Sequence, residues 1–168
     1  MIKHILNFKR PSGTSRGVLT SKETFFLVIE QEGKKGIGEC NLFRGLSADD
    51  VPAYKAKLQW VEQHLHLGEK ALLEELKTFP SIQFGVEQAF RSVTAPHWYE
   101  LFPSNFTKGK DAIPINGLIW MGSSDFMKTQ IKEKLAQGFR CIKMKIGAID
   151  FEEEYRILKA LRNEFSAS

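Results

Sequence analysis

Short apolar runs bounded by polar and turn residues make the first forty positions read as antiparallel sheet, and the pattern then changes to helical spacing. His4-Ile5-Leu6-Asn7-Phe8 reads as a short alternating strand, and Thr24-Phe25-Phe26-Leu27-Val28-Ile29-Glu30 as a strong one. Residues 10–17, with Pro11, Ser12, Gly13 and Gly17, have the turn-forming composition of a loop. Glu32-Gly33 marks a tight turn, and Gly36-Ile37-Gly38-Glu39-Cys40 is the returning strand of a hairpin. A second polar and glycine loop, residues 41–46, follows. Ser47 and Asp50 then open a helix whose stripe is Val51, Tyr54, Leu58, Val61 and Leu65, with Pro52 in the tolerated first turn. Residues 69–77 form a shorter helix, ended by Pro80. Ser81 is expected to cap a third, with Phe84, Val86, Ala89, Phe90 and Val93 inward and Pro96 at its end.

The pattern changes after a linker-like stretch, residues 101–111, that holds Pro103, Asn105 and Gly109. Residues 113–121 are a near-continuous apolar run, the mark of a strand buried on both faces. Gly122-Ser123-Ser124-Asp125 supplies a turn and an N-cap, and Met127, Ile131 and Leu135 make one helical stripe ended by Gly138. A second short strand spans residues 140–147. Ile142, Met144 and Ile146 point one way, and Cys141, Lys143 and Lys145 the other. Asp150 and Glu153 start a last helix with the stripe Phe151, Tyr155, Leu158, Leu161 and Phe165. Strand, helix, strand, helix with short connections predicts a parallel right-handed crossover unit. The chain therefore divides into an α+β domain, residues 1–107, and a segment that begins as α/β, residues 108–168.

Within that segment the two lysines stand out. Two residues along a strand span roughly 6.5–7 Å, so both ammonium groups can address one small site. In parallel βα units, reactive groups collect at the C-terminal ends of the strands, where Lys145 lies. A solvated polar face on an edge strand is the competing reading of Lys-x-Lys. Composition narrows the field. The chain has 168 residues, 42% apolar and 26% charged, as in soluble globular proteins. A net charge of +4 suits an anionic small molecule, and no basic run with interleaved aromatics points to nucleic acid. No apolar run is long enough for a membrane and no signal peptide is read, so no membrane partner and a cytoplasmic location are expected. Cys40 and Cys141 match no metal spacing and lie in apolar strand contexts, so two buried free thiols are expected. His4, His64, His66 and His97 form no cluster, His64 and His66 should diverge on a helix, and Arg44 reads as solvated.

Five segments together resemble the enolase superfamily. They are residues 11–17 (PSGTSRG), residues 36–40 (GIGEC) leading to Gly45-Leu46-Ser47, residues 80–87 (PSIQFGVE), residues 114–122 (PINGLIWMG) and residues 138–147 (GFRCIKMKIG). The likeness is to the muconate-lactonizing subgroup, and most of all to its o-succinylbenzoate synthases. It implies an α+β capping domain followed by the start of an α/β (β/α)8-type barrel, with the chain truncated after the second βα unit. A whole barrel needs roughly 250 residues. The resemblance implies a lyase, a dehydratase of menaquinone biosynthesis acting on a small-molecule carboxylate. It would eliminate water from 2-succinyl-6-hydroxy-2,4-cyclohexadiene-1-carboxylate through an enediolate stabilised by Mg²⁺. Lys145 would be the acid/base, and Lys143 the neighbouring cation that makes a neutral lysine accessible, since a free lysine titrates near about 10.4. The metal ligands and a facing lysine would lie beyond Ser168, so this chain alone is expected to be inactive and to bind no metal. Ser12, Thr14, Ser15 and Arg16 on the first loop are candidates for holding a substrate carboxylate. Phe43 and Leu46 are candidates for packing on its ring. Asn116 shares a strand face with Trp120 and is a candidate to reach the ligand. A dipeptide epimerase or N-succinylamino acid racemase would keep the lysine pair, as would a cycloisomerase. A small non-catalytic α+β binding protein is the reading from another class. The oligomeric state is open.

Overall fold

The computed structural model describes residues 1–14, 17–147 and 149–164, the last without its side chain. Five strands and five helices follow one another along the chain. They are β1 (Ile2–Thr14), β2 (Gly17–Gln31), β3 (Lys34–Asn41), α1 (Tyr54–Gln63), α2 (Gly68–Glu75), α3 (Pro80–Thr94), β4 (Gly117–Ile119), α4 (Ser124–Ala136), β5 (Ile142–Met144) and α5 (Phe151–Glu164). They form two compact units. Residues 1–10 and 20–111 make the first, and residues 11–19 with 112–168 the second. This mixed α/β architecture, a capping-type sheet with helices followed by βα units, is the enolase-like fold expected of the chain.

In the first unit the sheet order is β1-β2-β3. Glu32 and Gly33 both have positive φ, 52° and 75°, as a two-residue hairpin turn requires. That turn sets an antiparallel register in which Phe25 faces Cys40 and Ile29 faces Gly36. Phe25, Leu27 and Ile29 of β2 are buried with Tyr54, Leu58 and Val61 of α1, Leu72 of α2, and Ile82, Val86, Ala89 and Val93 of α3. Helix α3 lies directly on β3. A Cβ added to Gly38 would fall 1.7 Å from the Gly85 carbonyl oxygen, and one on Gly85 2.3 Å from Cys40 Sγ. The same helix covers the free edge of β3. The Ile37 N–H donates to Ser92 Oγ at 3.0 Å, and the Glu39 N–H to Gln88 Oε1 at 2.9 Å. These bonds satisfy strand groups that would otherwise invite another chain.

Several local expectations change. The first loop is shorter than its composition implies, because Pro11 to Thr14 continue β1 in extended form. Helix α1 starts at Tyr54, and Val51 is exposed in the turns before it. Ser81 does not cap α3. It sits inside the helix and is itself held by buried Asp49, whose Oδ2 accepts from Ser81 N–H at 2.8 Å and Oγ at 2.7 Å. The cap comes from a residue distant in sequence, which local spacing cannot reveal. Phe84 is exposed, because the contact face of α3 runs through Gly85 and Ala89. His64 and His66 do not diverge: helix α1 ends between them and Trp60, and their rings lie 5.9 Å apart.

The second unit pairs β4 with β5 in parallel, Gly117 opposite Ile142, Leu118 opposite Lys143 and Ile119 opposite Met144. Only three of the nine residues at 113–121 join the sheet; Ile113 and Ile115 are exposed. Ser123 caps α4 by accepting from Phe126 N–H, and Gly138 takes the left-handed conformation that ends it. Met127, Ile131 and Leu135 pack inward as their spacing predicts. Helix α5 is rotated from its expected face. Ile157 and Leu161 pack against the sheet, whereas Phe151, Tyr155 and Leu158 are exposed; Phe165 lies outside the described residues. Among the described residues no helix is long and apolar enough to cross a membrane.

Two predictions follow from packing. Gly38→Ala should destabilise the first unit by about 3 kcal/mol or prevent its folding, because backbone rather than a movable side chain blocks the methyl group. A denaturation midpoint equal to wild type would refute the close approach. The thiols should also separate. Cys40 is fully buried, and burial, with Asp49 and Glu39 nearby, pushes its thiol up to about 12, whereas Cys141 is exposed, not buried as expected. A thiol reagent at pH 8 should titrate one cysteine in the folded chain and a second only after denaturation. A folded value above the ordinary 9.0 means this stability is whole below pH 9 and lost as the pH climbs towards 12.

Candidate active site

The parallel register assigns the two faces of the β4–β5 pair. Gly117, Ile119, Ile142 and Met144 share the face covered by α4 and α5, and Ile119 is fully buried there. Leu118 and Lys143 share the opposite face, and side-chain alternation puts Trp120 and Lys145 on it as well. The ladder runs one step further, with the Lys145 N–H donating to the Ile119 carbonyl at 3.3 Å. Lys143 is exposed and Lys145 half-buried. Lys145 Nζ stands 4.2 Å from the centre of the Trp120 ring. The lysines thus occupy the face opposite the one that α4 and α5 cover, at the C-terminal ends of the strands.

The turn after Lys145 is pinned from α5. Gly147 takes φ 97°, and its N–H donates to Glu154 Oε1 at 2.7 Å. Glu154, 4% exposed, turns its carboxylate inward onto this loop. Asp150 caps α5, accepting from the N–H groups of Glu152 and Glu153. Sequence spacing could show the cap but not the inward carboxylate, which depends on how α5 is rotated.

The other candidates fall into separate places. Asn116 is exposed, immediately before β4. Ser12 and Thr14 end β1, in the stretch that groups with the second unit, and Gly13 lies beside Met121, where an added Cβ would meet Met121 Cβ at 3.9 Å. Thr14 Oγ1 donates to the Gly17 carbonyl at 2.8 Å. Ser15 and Arg16 lie outside the described residues. Phe43 and Leu46 are half-buried in the first unit, with Lys22 Nζ 5.1 Å from the Phe43 ring centre.

Arg44 is exposed, as expected, and it also clamps its loop. Its Nε and Nη2 donate to Glu23 Oε2 at 3.0 and 2.7 Å, and Nη1 donates to Asp50 Oδ1 at 2.7 Å. Asp50 Oδ2 also accepts from the Gly45 N–H, and Ser47 Oγ from the Phe43 N–H. The Lys3 ammonium and the Arg44 guanidinium hold the Glu23 carboxyl below its usual range. The Gly45 N–H and Arg44 do the same for Asp50. The loop carrying Phe43 and Leu46 is therefore tied down by polar contacts. Among the described residues no group of three or more metal-ligating side chains exists, so these residues do not fit Mg²⁺.

No family model matches the chain. An o-succinylbenzoate synthase of Desulfotalea psychrophila is 38% identical over 96% of this chain and 52% of the relative. The solved structure of MenC from that organism superposes with a TM-score of 0.72 at 29% identity, covering 98% of this chain and 53% of the other. The chain resembles the N-terminal part of an o-succinylbenzoate synthase. The o-succinylbenzoate synthase of Thermosynechococcus elongatus, described as complexed with Mg in the active site, gives 0.68 at 25% identity, covering 96% and 47%. The chain spans about half the length of these relatives. A dipeptide epimerase of Enterococcus faecalis, at 16% identity and a TM-score of 0.72, shares the fold.

Arg44 provides the test of the loop. Because Asp50 and Glu23 have depressed folded values, their contribution should be present above their ordinary 3.8 and 4.5 and be lost as pH falls through the lower folded values. Arg44→Ala should speed amide exchange at Phe43 and Gly45 at neutral pH. Unchanged protection there would remove Arg44 as the clamp.

Proposed function

We propose that this chain is the N-terminal part of an o-succinylbenzoate synthase-type dehydratase of menaquinone biosynthesis. Its substrate would be 2-succinyl-6-hydroxy-2,4-cyclohexadiene-1-carboxylate, and Lys145 its acid/base. The observation that carries the reading is the pair Lys143 and Lys145 on the face opposite the helices, at the strand ends, in a chain 38% identical to an enzyme of that name.

The chemistry asks three things of these residues. Lys145 takes the proton α to the substrate carboxylate onto Nζ, and the same ammonium then gives it to the departing hydroxyl, which leaves as water. Lys143, one pleat away, adds positive charge beside Lys145. That charge favours the neutral base before abstraction and the anionic intermediate after it. Ser12, Thr14, Ser15 and Arg16 bind a substrate carboxylate, and Asn116 reaches the ligand beside the lysines. Mg²⁺ is the cofactor of this reading because a relative is described with it.

The longer protein containing this chain should convert the diene carboxylate to its aromatic product, followed by ultraviolet absorbance. Lys145→Ala should lower kcat at least about a thousandfold with the fold intact by circular dichroism. Near-normal turnover by that variant would remove Lys145 as the base. Epimerisation of dipeptides by the wild-type protein, without dehydration, would replace the substrate assignment.

A further inference from the structure

We propose that Trp120 is a positioning residue for Lys145, braced from behind by Gln130. The inference deepens the reading above and rests on it for the identity of the reaction. Trp120 N–H donates to Gln130 Oε1 at 3.0 Å, and Gln130 Nε2 donates to the Trp120 carbonyl at 3.1 Å. The Gln130 amide therefore pairs with both backbone groups of Trp120, as a neighbouring strand would. It comes from the middle of α4, a helix anchored by buried Met127 and Ile131. So the residue just past β4 is fixed although the strand itself ends at Ile119. The indole reaches across to β5, and Lys145 Nζ lies over its face at 4.2 Å.

A lysine side chain has a flexible four-carbon stem and loses rotamer entropy when held. An aromatic face close to Nζ restricts that freedom. It also discriminates between protonation states, because the ring quadrupole attracts an ammonium and not a neutral amine. In the proposed reaction Nζ is charged between proton removal from carbon and proton delivery to the leaving hydroxyl. The contact is then strongest at the stage where Lys145 holds the proton beside a carbanionic substrate, and binding of that kind raises kcat. Trp120 is 43% exposed, which leaves the remainder of the ring free to meet a ligand.

The experiment uses the longer protein. Lysines are reductively methylated with ¹³C, and the Lys145 signal is identified by its loss in Lys145→Arg. The wild-type signal should be displaced upfield by the indole ring current. Trp120→Leu should return it to the position of solvated lysines, and Gln130→Ala should move it part of the way. In turnover, Trp120→Leu should lower kcat about tenfold with KM within about twofold, and Trp120→Phe should retain most of the rate. A role in folding alone would not divide Phe from Leu in this way. An undisplaced Lys145 signal in the wild type, or an unchanged kcat in folded Trp120→Leu, overturns the proposal. A displaced signal in a wild-type protein that dehydrates nothing would refute the proposed reaction and leave the brace standing.

Discussion

The register between β4 and β5 is the constraint on which the candidate site depends. Side chains alternate across a strand, so a slip of one residue would exchange the two faces. As paired, Ile119 and Met144 meet under the helices, and Lys143 and Lys145 face the other way. Slipped, two ammonium groups would enter an apolar layer at large cost. The burial of Ile119, Met127, Ile131 and Ile157 thus does two things with one arrangement. It holds α4 and α5 to the sheet, and it orients the lysines.

Three short polar devices refine that orientation where the ladder stops. Gln130 supplies the backbone partners that Trp120 lacks beyond the strand. Glu154 holds the turn at Gly147, two residues past Lys145. Trp120 then meets the ammonium itself. The first two are side chains from helices rather than from loops, which suits a group whose position matters to a fraction of an ångström.

The first unit uses the opposite strategy, the removal of side chains. Gly38 and Gly85 bring β3 and α3 into backbone contact, and Ser92 and Gln88 then reach the free edge of β3. Beyond β3, the loop with Phe43 and Leu46 is held by Arg44, Asp50 and Ser47. The polar contacts hold this loop in place, and their hold is bounded at low pH by the two carboxylates that pair with Arg44.

Much of this was legible in the chain as written. The hairpin at Glu32-Gly33, the stripe Met127, Ile131 and Leu135, the caps at Ser123 and Asp150 and the opposed faces of β5 all follow from local rules, because turn geometry and side-chain alternation act over a few residues. The likeness of five segments to the enolase superfamily also lies in sequence, and the fold agrees with it. What local rules could not supply were choices made by partners distant in the chain. Helix α5 carries two usable faces, and only packing on the sheet selects Ile157 and Leu161 over Tyr155 and Leu158. Asp49 as the cap of α3, Arg44 as a clamp, Gln130 behind Trp120 and Glu154 turned inward are polar contacts between separate elements. Hydrogen bonds of that kind require a donor and an acceptor within about 3 Å, a distance that sequence separation does not determine and the tertiary structure does.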